Sequence, residues 1–203
     1  MERRKARGKF IALEGADGTG KSTQALLLAS FLKGFGIDSV LTREPWDPAI
    51  LNALQTCGSK KGACLLFAAD RSLHSQKIEE MLKEGFWVIS DRFTDSSLAY
   101  QCGGWGIKLS EVEKINAFAT SLKPDLTLIF SCPPSLASKR MRKRGEESGF
   151  DRNFSLQKRV GCLYAFLARK GGGRKVVDAS GGSRKVEARV REEVGRKWNL
   201  KKG

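Results

Sequence analysis

The sequence predicts an α/β protein, a five-stranded parallel sheet wrapped by helices on both faces. Three observations predict it. Apolar, β-rich runs at residues 10–13, 39–42, 86–89, 126–130 and 175–177 alternate with longer helix-like stretches. A glycine-rich turn follows the first run and leads straight into a helical pattern. The chain has 203 residues, 40% of them hydrophobic, which suffices for one substantial core and is too short for two ordinary domains.

In chain order, the strand at 10–13 precedes a helix at 22–35. The strand at 39–42 precedes a helical stretch running through residue 82. The strand at 86–89 is followed by a helix at 111–122, and the strand at 126–130 by helices at 135–143 and 154–170. The last strand, 175–177, precedes a helix at 185–198. In such a sheet ligands bind at the carboxyl ends of the strands, so functional residues are expected just after each run. Glycine-rich segments at 170–174 and 180–183 read as loops. Arg140, Arg142, Lys143, Arg144, Gly145, Glu146 and Glu147 combine charge with a central glycine between two helical patterns, which predicts a mobile lid at about 140–153 within a single domain spanning 1–203.

Apolar stretches such as 25–29 and 63–69 fall well short of the roughly 18 residues a membrane span needs. The basic run at 1–7 leads into the first strand without an apolar signal core, so the expected location is the cytoplasm. Cys57, Cys64, Cys102, Cys132 and Cys162 are scattered, with no CxxC pair and only His74 to join them, which argues for reduced thiols and against zinc. The net charge of +15 is concentrated late: residues 139–203 carry 20 Lys and Arg against 7 Asp and Glu, whereas 1–138 carry 17 against 15. That bias suits a polynucleotide surface, a site for small anions or a solvated face.

Gly15-Ala16-Asp17-Gly18-Thr19-Gly20-Lys21-Ser22 fits GxxxxGK[ST], the phosphate-binding loop of the P-loop NTPase fold, in the required strand-to-helix context. Its glycines let backbone N–H groups converge on phosphate oxygens, and the following helix presents its positive end. Gly15, Ala16, Asp17, Gly18, Thr19, Gly20, Lys21, Ser22 and Thr23 form the candidate ATP phosphate site. Lys21 reaches the β- and γ-phosphates, and Ser22 ligates Mg²⁺.

A phosphate loop alone does not separate a kinase from a GTPase switch or a motor. Asp91-Arg92-Phe93 ends the strand beginning at residue 86, where Asp91 is placed to hold Mg²⁺ through water and Arg92 to clamp a phosphoryl group. The bare pair carries no weight, because Asp70-Arg71 and Asp151-Arg152 also occur; its position does. Arg43 and Glu44 end the second strand, either facing a ligand or forming a surface ion pair beside Pro45. Phe67 and Arg71 share a helix face at i and i+4. They are either core and surface residues, or an aromatic platform for a base with an arginine on its edge.

Taken in order, these segments resemble the thymidylate kinases: the phosphate loop, Thr42-Arg43-Glu44-Pro45, Phe67-x-x-x-Arg71, Asp91-Arg92-Phe93, Ala99-Tyr100-Gln101-Cys102-Gly103-Gly104, Lys123-Pro124-Asp125 and Val177-Asp178-Ala179. The resemblance covers nearly the whole chain. It implies transfer of the ATP γ-phosphoryl group to dTMP, with Phe67 stacked on thymine and Arg71 on its edge. Ser97 and Gln101 would lie at the base, and Tyr100 would crowd the sugar against a 2′-hydroxyl. Asp17 would hold the 3′-hydroxyl, and Arg92 would clamp the acceptor phosphate with Arg43 as a weaker partner. Adenine would lie between Arg140 and the loop after Asp178, Ala179 and Ser180, and the enzyme would be a homodimer.

Gly18 stands where one class of the family carries arginine, so the resemblance implies that the transition-state cation comes from the lid, with Arg144 first and Arg142 second. The 46–66 segment is short, and Trp46-Asp47 replaces the usual glycines. The lid lacks the family's carboxylates around 149–153, whereas Phe154, Arg159 and Tyr164 keep a family-like spacing. The rival readings are a kinase for another nucleoside or monophosphate and, from a different class, an ATP-dependent nucleic-acid-binding protein. No histidine adjoins the loop, so in-line transfer without a phosphoenzyme is expected.

Overall fold

A computed structural model describes residues 6–143, 145 and 154–200. Five parallel strands form one sheet: β1 (Phe10–Gly15), β2 (Ser39–Arg43), β3 (Trp87–Asp91), β4 (Leu126–Ser131) and β5 (Arg174–Asp178), in the order β2-β3-β1-β4-β5. Each expected strand is present, most of them a residue or two longer. The period of two along β1 divides the core. Ile11 and Leu13 face α1 (Lys21–Lys33) and the last helix, meeting Leu28, Leu32, Val186, Val190 and Val194. Phe10 and Ala12 face the opposite layer, with Ile78 and Leu82.

The helical stretch expected through residue 82 is two helices, α2 (Pro48–Thr56) and α3 (Lys60–Lys83). Asp47 caps the first, accepting from the N–H groups of Ala49 and Ile50, and Ser59 caps the second through Gly62 N–H. Asp47 is one of the residues that depart from the family's glycines, and the cap is its structural role. The backbone N–H groups of Trp46 and Asp47 are held by buried Asp70, and the Trp46 ring stacks on His74 at 5.7 Å.

After β3, one α-helical turn, α4 (Thr94–Ser97), continues as a π-helical segment (Leu98–Gly104) that sequence reading did not anticipate. Its Tyr-Gln-Cys-Gly-Gly composition carries no helical period, and the register is set by tertiary contacts. The remaining described helices are α5 (Leu109–Ala119), α6 (Pro134–Arg142), α7 (Phe154–Arg169) and α8 (Ser183–Trp198). Most of the expected lid, including Arg144, Glu146 and Glu147, lies outside the described residues. No described helix is long and apolar enough to cross a membrane.

Candidate active site

The carboxyl edge of the sheet carries the chemistry, and β1 supplies its centre. Gly15 has φ 142°, and a Cβ there would sit 2.5 Å from the Phe130 carbonyl oxygen, so the loop leaves the strand only with glycine. Gly20, in the left-handed region, begins α1 without any side-chain cap. The first N–H groups of α1 therefore lack a side-chain partner, the arrangement that binds phosphate. Lys21 is buried, its Nζ donating to the carbonyls of Gly15 and Ala16 at 3.0 Å each. Burial, with Arg92 adding, pulls its pKa down to about 8. Ser22 Oγ donates to Asp91 Oδ2 at 2.5 Å, so the two residues expected to hold Mg²⁺ meet between the start of α1 and the end of β3.

Gly18 (φ 78°) packs against α6, where a Cβ would approach the Ala137 carbonyl oxygen to 2.5 Å. An arginine at this position does not fit with α6 where it is. Beside the loop lies a cavity lined by Gly18, Thr19, Gly20, Thr23, Gln24, Arg140, Lys143, Gly181, Gly182, Ser183 and Val186. Arg140 lines this cavity, donating to the Gly181 carbonyl at 2.7 Å. Asp178, Ala179 and Ser180, expected on the adenine side, do not line this cavity. Ala179 is buried in the core, and Asp178 binds Ser180 and Arg189, leaving residues 181–183 at the cavity. β5 runs one residue beyond its expected end, which moves the loop along.

The second cavity is lined by Glu44, Pro45, Phe67, Arg71, Arg92, Ser96, Ser97, Tyr100, Gln101 and Trp105. It gathers six of the eight expected acceptor residues: Phe67, Arg71, Arg92, Ser97, Tyr100 and Gln101. Asp17 lies at the edge, paired with Arg92 and accepting from Gln157 Nε2 at 3.0 Å. Burial pushes the Asp17 carboxyl up, but the Arg92 and Lys21 charges outweigh it and hold it below the usual range. Arg43 is the exception. It is exposed at the end of β2 and does not line the cavity. Alternation along the chain turns its neighbour Glu44 inward instead, 3% exposed.

Glu44 explains how Arg71 is held. Fully buried, Arg71 donates to Glu44 Oε2 (2.5 Å), Asn116 Oδ1 (2.7 Å), Ser97 Oγ (2.8 Å) and the Phe93 carbonyl (3.2 Å), and its Nε has no partner among the described residues. His74 backs Glu44 at 3.3 Å and meets Thr42 Oγ1 at 2.7 Å. Sequence reading missed His74, Asn116 and Trp105, which only tertiary contacts identify: Asn116 bonds Arg71, His74 bonds Glu44, and Trp105 lines the cavity.

Arg92 adopts φ 80°, a strained conformation for a side chain with a Cβ. Hydrogen bonds on both sides fix it: Arg92 N–H to the Leu13 carbonyl, Ser90 Oγ to the Arg92 carbonyl, and Phe93 N–H to Glu14 Oε1. Glu14 is buried and also accepts from Ser96 N–H, Ser96 Oγ and Tyr164 OH. Burial, with the Asp95 charge adding, pushes its carboxyl up to about 7. The Arg92 guanidinium lies 4.9 Å over the Tyr100 ring, between the phosphate loop and the second cavity.

The sequence model of the family described as Thymidylate kinase matches residues 13–190. The thymidylate kinase of Methylobacillus flagellatus is 40% identical, over 72% of this chain and 75% of its own. The probable thymidylate kinase of Thermococcus onnurineus is 41% identical over 84% and 89%, respectively. The thymidylate kinase of Nitrosomonas eutropha is 36% identical over 95% of each chain. A phosphate loop facing a cavity of buried arginine and aromatic rings, with relatives matched along nearly the whole length, leads to one assignment: the chain belongs to the thymidylate kinase family.

Proposed function

We propose that the chain transfers the γ-phosphoryl group of ATP directly to dTMP, giving dTDP and ADP in dTTP synthesis. The observation that carries this reading is Arg92, held in a strained backbone between the phosphate loop and the cavity of Phe67 and Arg71. Phe67 stacks the base, Arg71 and Ser97 meet its edge, and Tyr100 narrows the sugar side. Arg92 takes the acceptor phosphate from the position it now shares with Asp17, which frees that carboxylate for the 3′-hydroxyl. Lys21 leaves the loop carbonyls for the donor phosphates. Transfer then depends on positioning and charge. Among the lid arginines, Arg140 lines the donor cavity and Arg142 is exposed at the end of α6; Arg144 lies outside the described residues.

The residues fit Mg²⁺. Ser22 and Asp91 offer oxygen donors, and Asp91 Oδ1 is buried without a hydrogen-bond partner among the described residues, as suits a hard divalent cation. Ser22 would hold the ion directly and Asp91 through water. When bound, the ion offsets charge on the donor phosphates.

The homodimer is part of the same reading. Leu65 and Leu73 on α3 and Phe118 on α5, exposed by 59%, 45% and 96%, form an apolar face that a second copy would cover. A single-protomer mass in sedimentation would refute it. The cytoplasm is the proposed location, supported by five unpaired cysteines. A single catalytic domain with its lid at about 140–153 completes the reading.

The test is ADP release with dTMP, dUMP, dCMP, dGMP and thymidine as acceptors. We expect dTMP to give the highest kcat/KM, and equal rates across the series would refute the acceptor assignment.

A further inference from the structure

The π-helical segment does more than carry Tyr100 and Gln101. Its wide register closes with Trp105 N–H to the Tyr100 carbonyl at 2.9 Å, an i→i+5 bond, and Ile107 N–H to the Gln101 carbonyl at 3.0 Å. In an α-helical register residue 104 would follow Tyr100 on its face; here Trp105 does, and both rings line the acceptor cavity. The turn is braced from α7. Arg159 donates from Nε to the Gly103 carbonyl at 3.0 Å and from Nη2 to the Gly104 carbonyl at 3.1 Å. A Cβ on Gly103 would lie 3.0 Å from the Arg159 carbonyl oxygen, so this close approach favours glycine. Trp105 is thus fixed from both sides.

The indole meets Phe67 with ring centroids 6.2 Å apart and planes tilted by 42°. Two rings set at that angle make a corner and leave both faces only partly used. Neither ring is fully buried, and like Pro45, Arg92 and Tyr100 each stands half-buried beside the buried polar groups of the cavity, Glu44, Arg71, Ser96, Ser97 and Gln101. A large aromatic left half-covered at a cavity wall has contact area in reserve for a flat apolar ligand.

We propose that Trp105 is the second aromatic wall of the acceptor site, packing against the base that Phe67 stacks, and that it is a determinant of acceptor affinity. This rests on the nucleoside monophosphate reading of the cavity. The competing possibility is that Trp105 only shields the Phe67 ring. Base–aromatic contacts are worth enough that losing one weakens binding about ten- to a hundredfold.

The experiment uses the full chain. In steady-state kinetics, Trp105→Ala raises KM for dTMP by about ten- to a hundredfold, with kcat and KM for ATP changed by no more than about twofold. Trp105→Phe recovers most of the loss. In parallel, dTMP quenches the intrinsic tryptophan fluorescence of the wild type, and the quench disappears in Trp105→Phe, where Trp46, Trp87 and Trp198 remain. A Trp105→Ala protein of wild-type circular dichroism with an unchanged KM for dTMP overturns the proposal, as does a quench that survives in Trp105→Phe. If the alanine variant does not fold, the phenylalanine variant's fluorescence decides. If the wild type turns over another monophosphate instead of dTMP, the acceptor reading fails while the same titration with that monophosphate still tests the wall.

Discussion

The two cavities that meet at Arg92 are built from different parts of the chain. The donor side is rich in backbone, with Gly18, Gly20, Gly181 and Gly182 in its wall and Arg140 tied to a carbonyl. The acceptor side is mostly side chain, and its central cation, Arg71, makes four hydrogen bonds within the protein. Phosphates are alike in every nucleotide, so amide groups and one lysine suffice to hold them. A base must be told from its relatives, which takes preorganised side chains whose partners are fixed beforehand. Damage to the donor side should therefore appear in turnover, and damage to the acceptor side in acceptor affinity and in stability.

The most severe test is Lys21→Ala. Removing a single positioned cation from a transferring group costs about 10²–10³-fold in rate, so kcat should fall by at least that while KM for dTMP stays close to wild type. Near-normal turnover would refute the donor-side assignment and the in-line account with it.

Arg71→Met probes the other half. It leaves Glu44, 4% exposed at its side chain, without its main counter-charge. Breaking a buried pair from one side costs about 3–5 kcal/mol, which urea unfolding at pH 7 would measure. KM for dTMP should rise in whatever folds. A loss below about 1 kcal/mol, typical of an exposed pair, would mean that Arg71 is not held as the geometry indicates.

The same division governs what could be read from the sequence. The donor side follows from a glycine pattern and the strand-to-helix context, because backbone geometry dictates which residues are allowed at Gly15 and Gly18. The central strands β1, β3 and β4 were legible for a similar reason, since burial on both faces of a parallel sheet requires continuous apolar runs, and the edge strands β2 and β5 by their place in the alternation with helices. The acceptor side was legible only where residues recur at a fixed spacing, as with Phe67 and Arg71 on one face of α3. Glu44 and Asn116 converge on Arg71 from two other parts of the chain, with His74 backing Glu44 from α3, and no local spacing records that. The π-helical register of residues 98–104 was hidden too, because Gly103 and Gly104 carry no helical signal of their own and are held by Arg159 on α7.

Glu14 joins the halves, and its titration gives the gentlest test. It leaves β1 just ahead of the phosphate loop, yet its carboxylate holds the turn after Arg92. Its ordinary pKa of 4.5 is raised to about 7 in the folded chain, first by burial and then by Asp95. Between those values the folded state keeps a proton that the unfolded state has released. The group's contribution is thus fully present below about 4.5 and is lost as pH rises through about 7. At 1.36 kcal/mol per unit, the loss is at most about 3 kcal/mol. Glu14→Gln cannot titrate. Its carbonyl can still accept from the Phe93 and Ser96 N–H groups, and its amide can donate to the Ser96 or Tyr164 hydroxyl. Relative to wild type, the glutamine variant should gain stability between pH 5 and pH 8, by up to that amount, in urea titrations at the two values. A difference between the two proteins that does not change with pH would mean that Glu14 is ionised throughout, its charge carried by the Arg92 side of the turn.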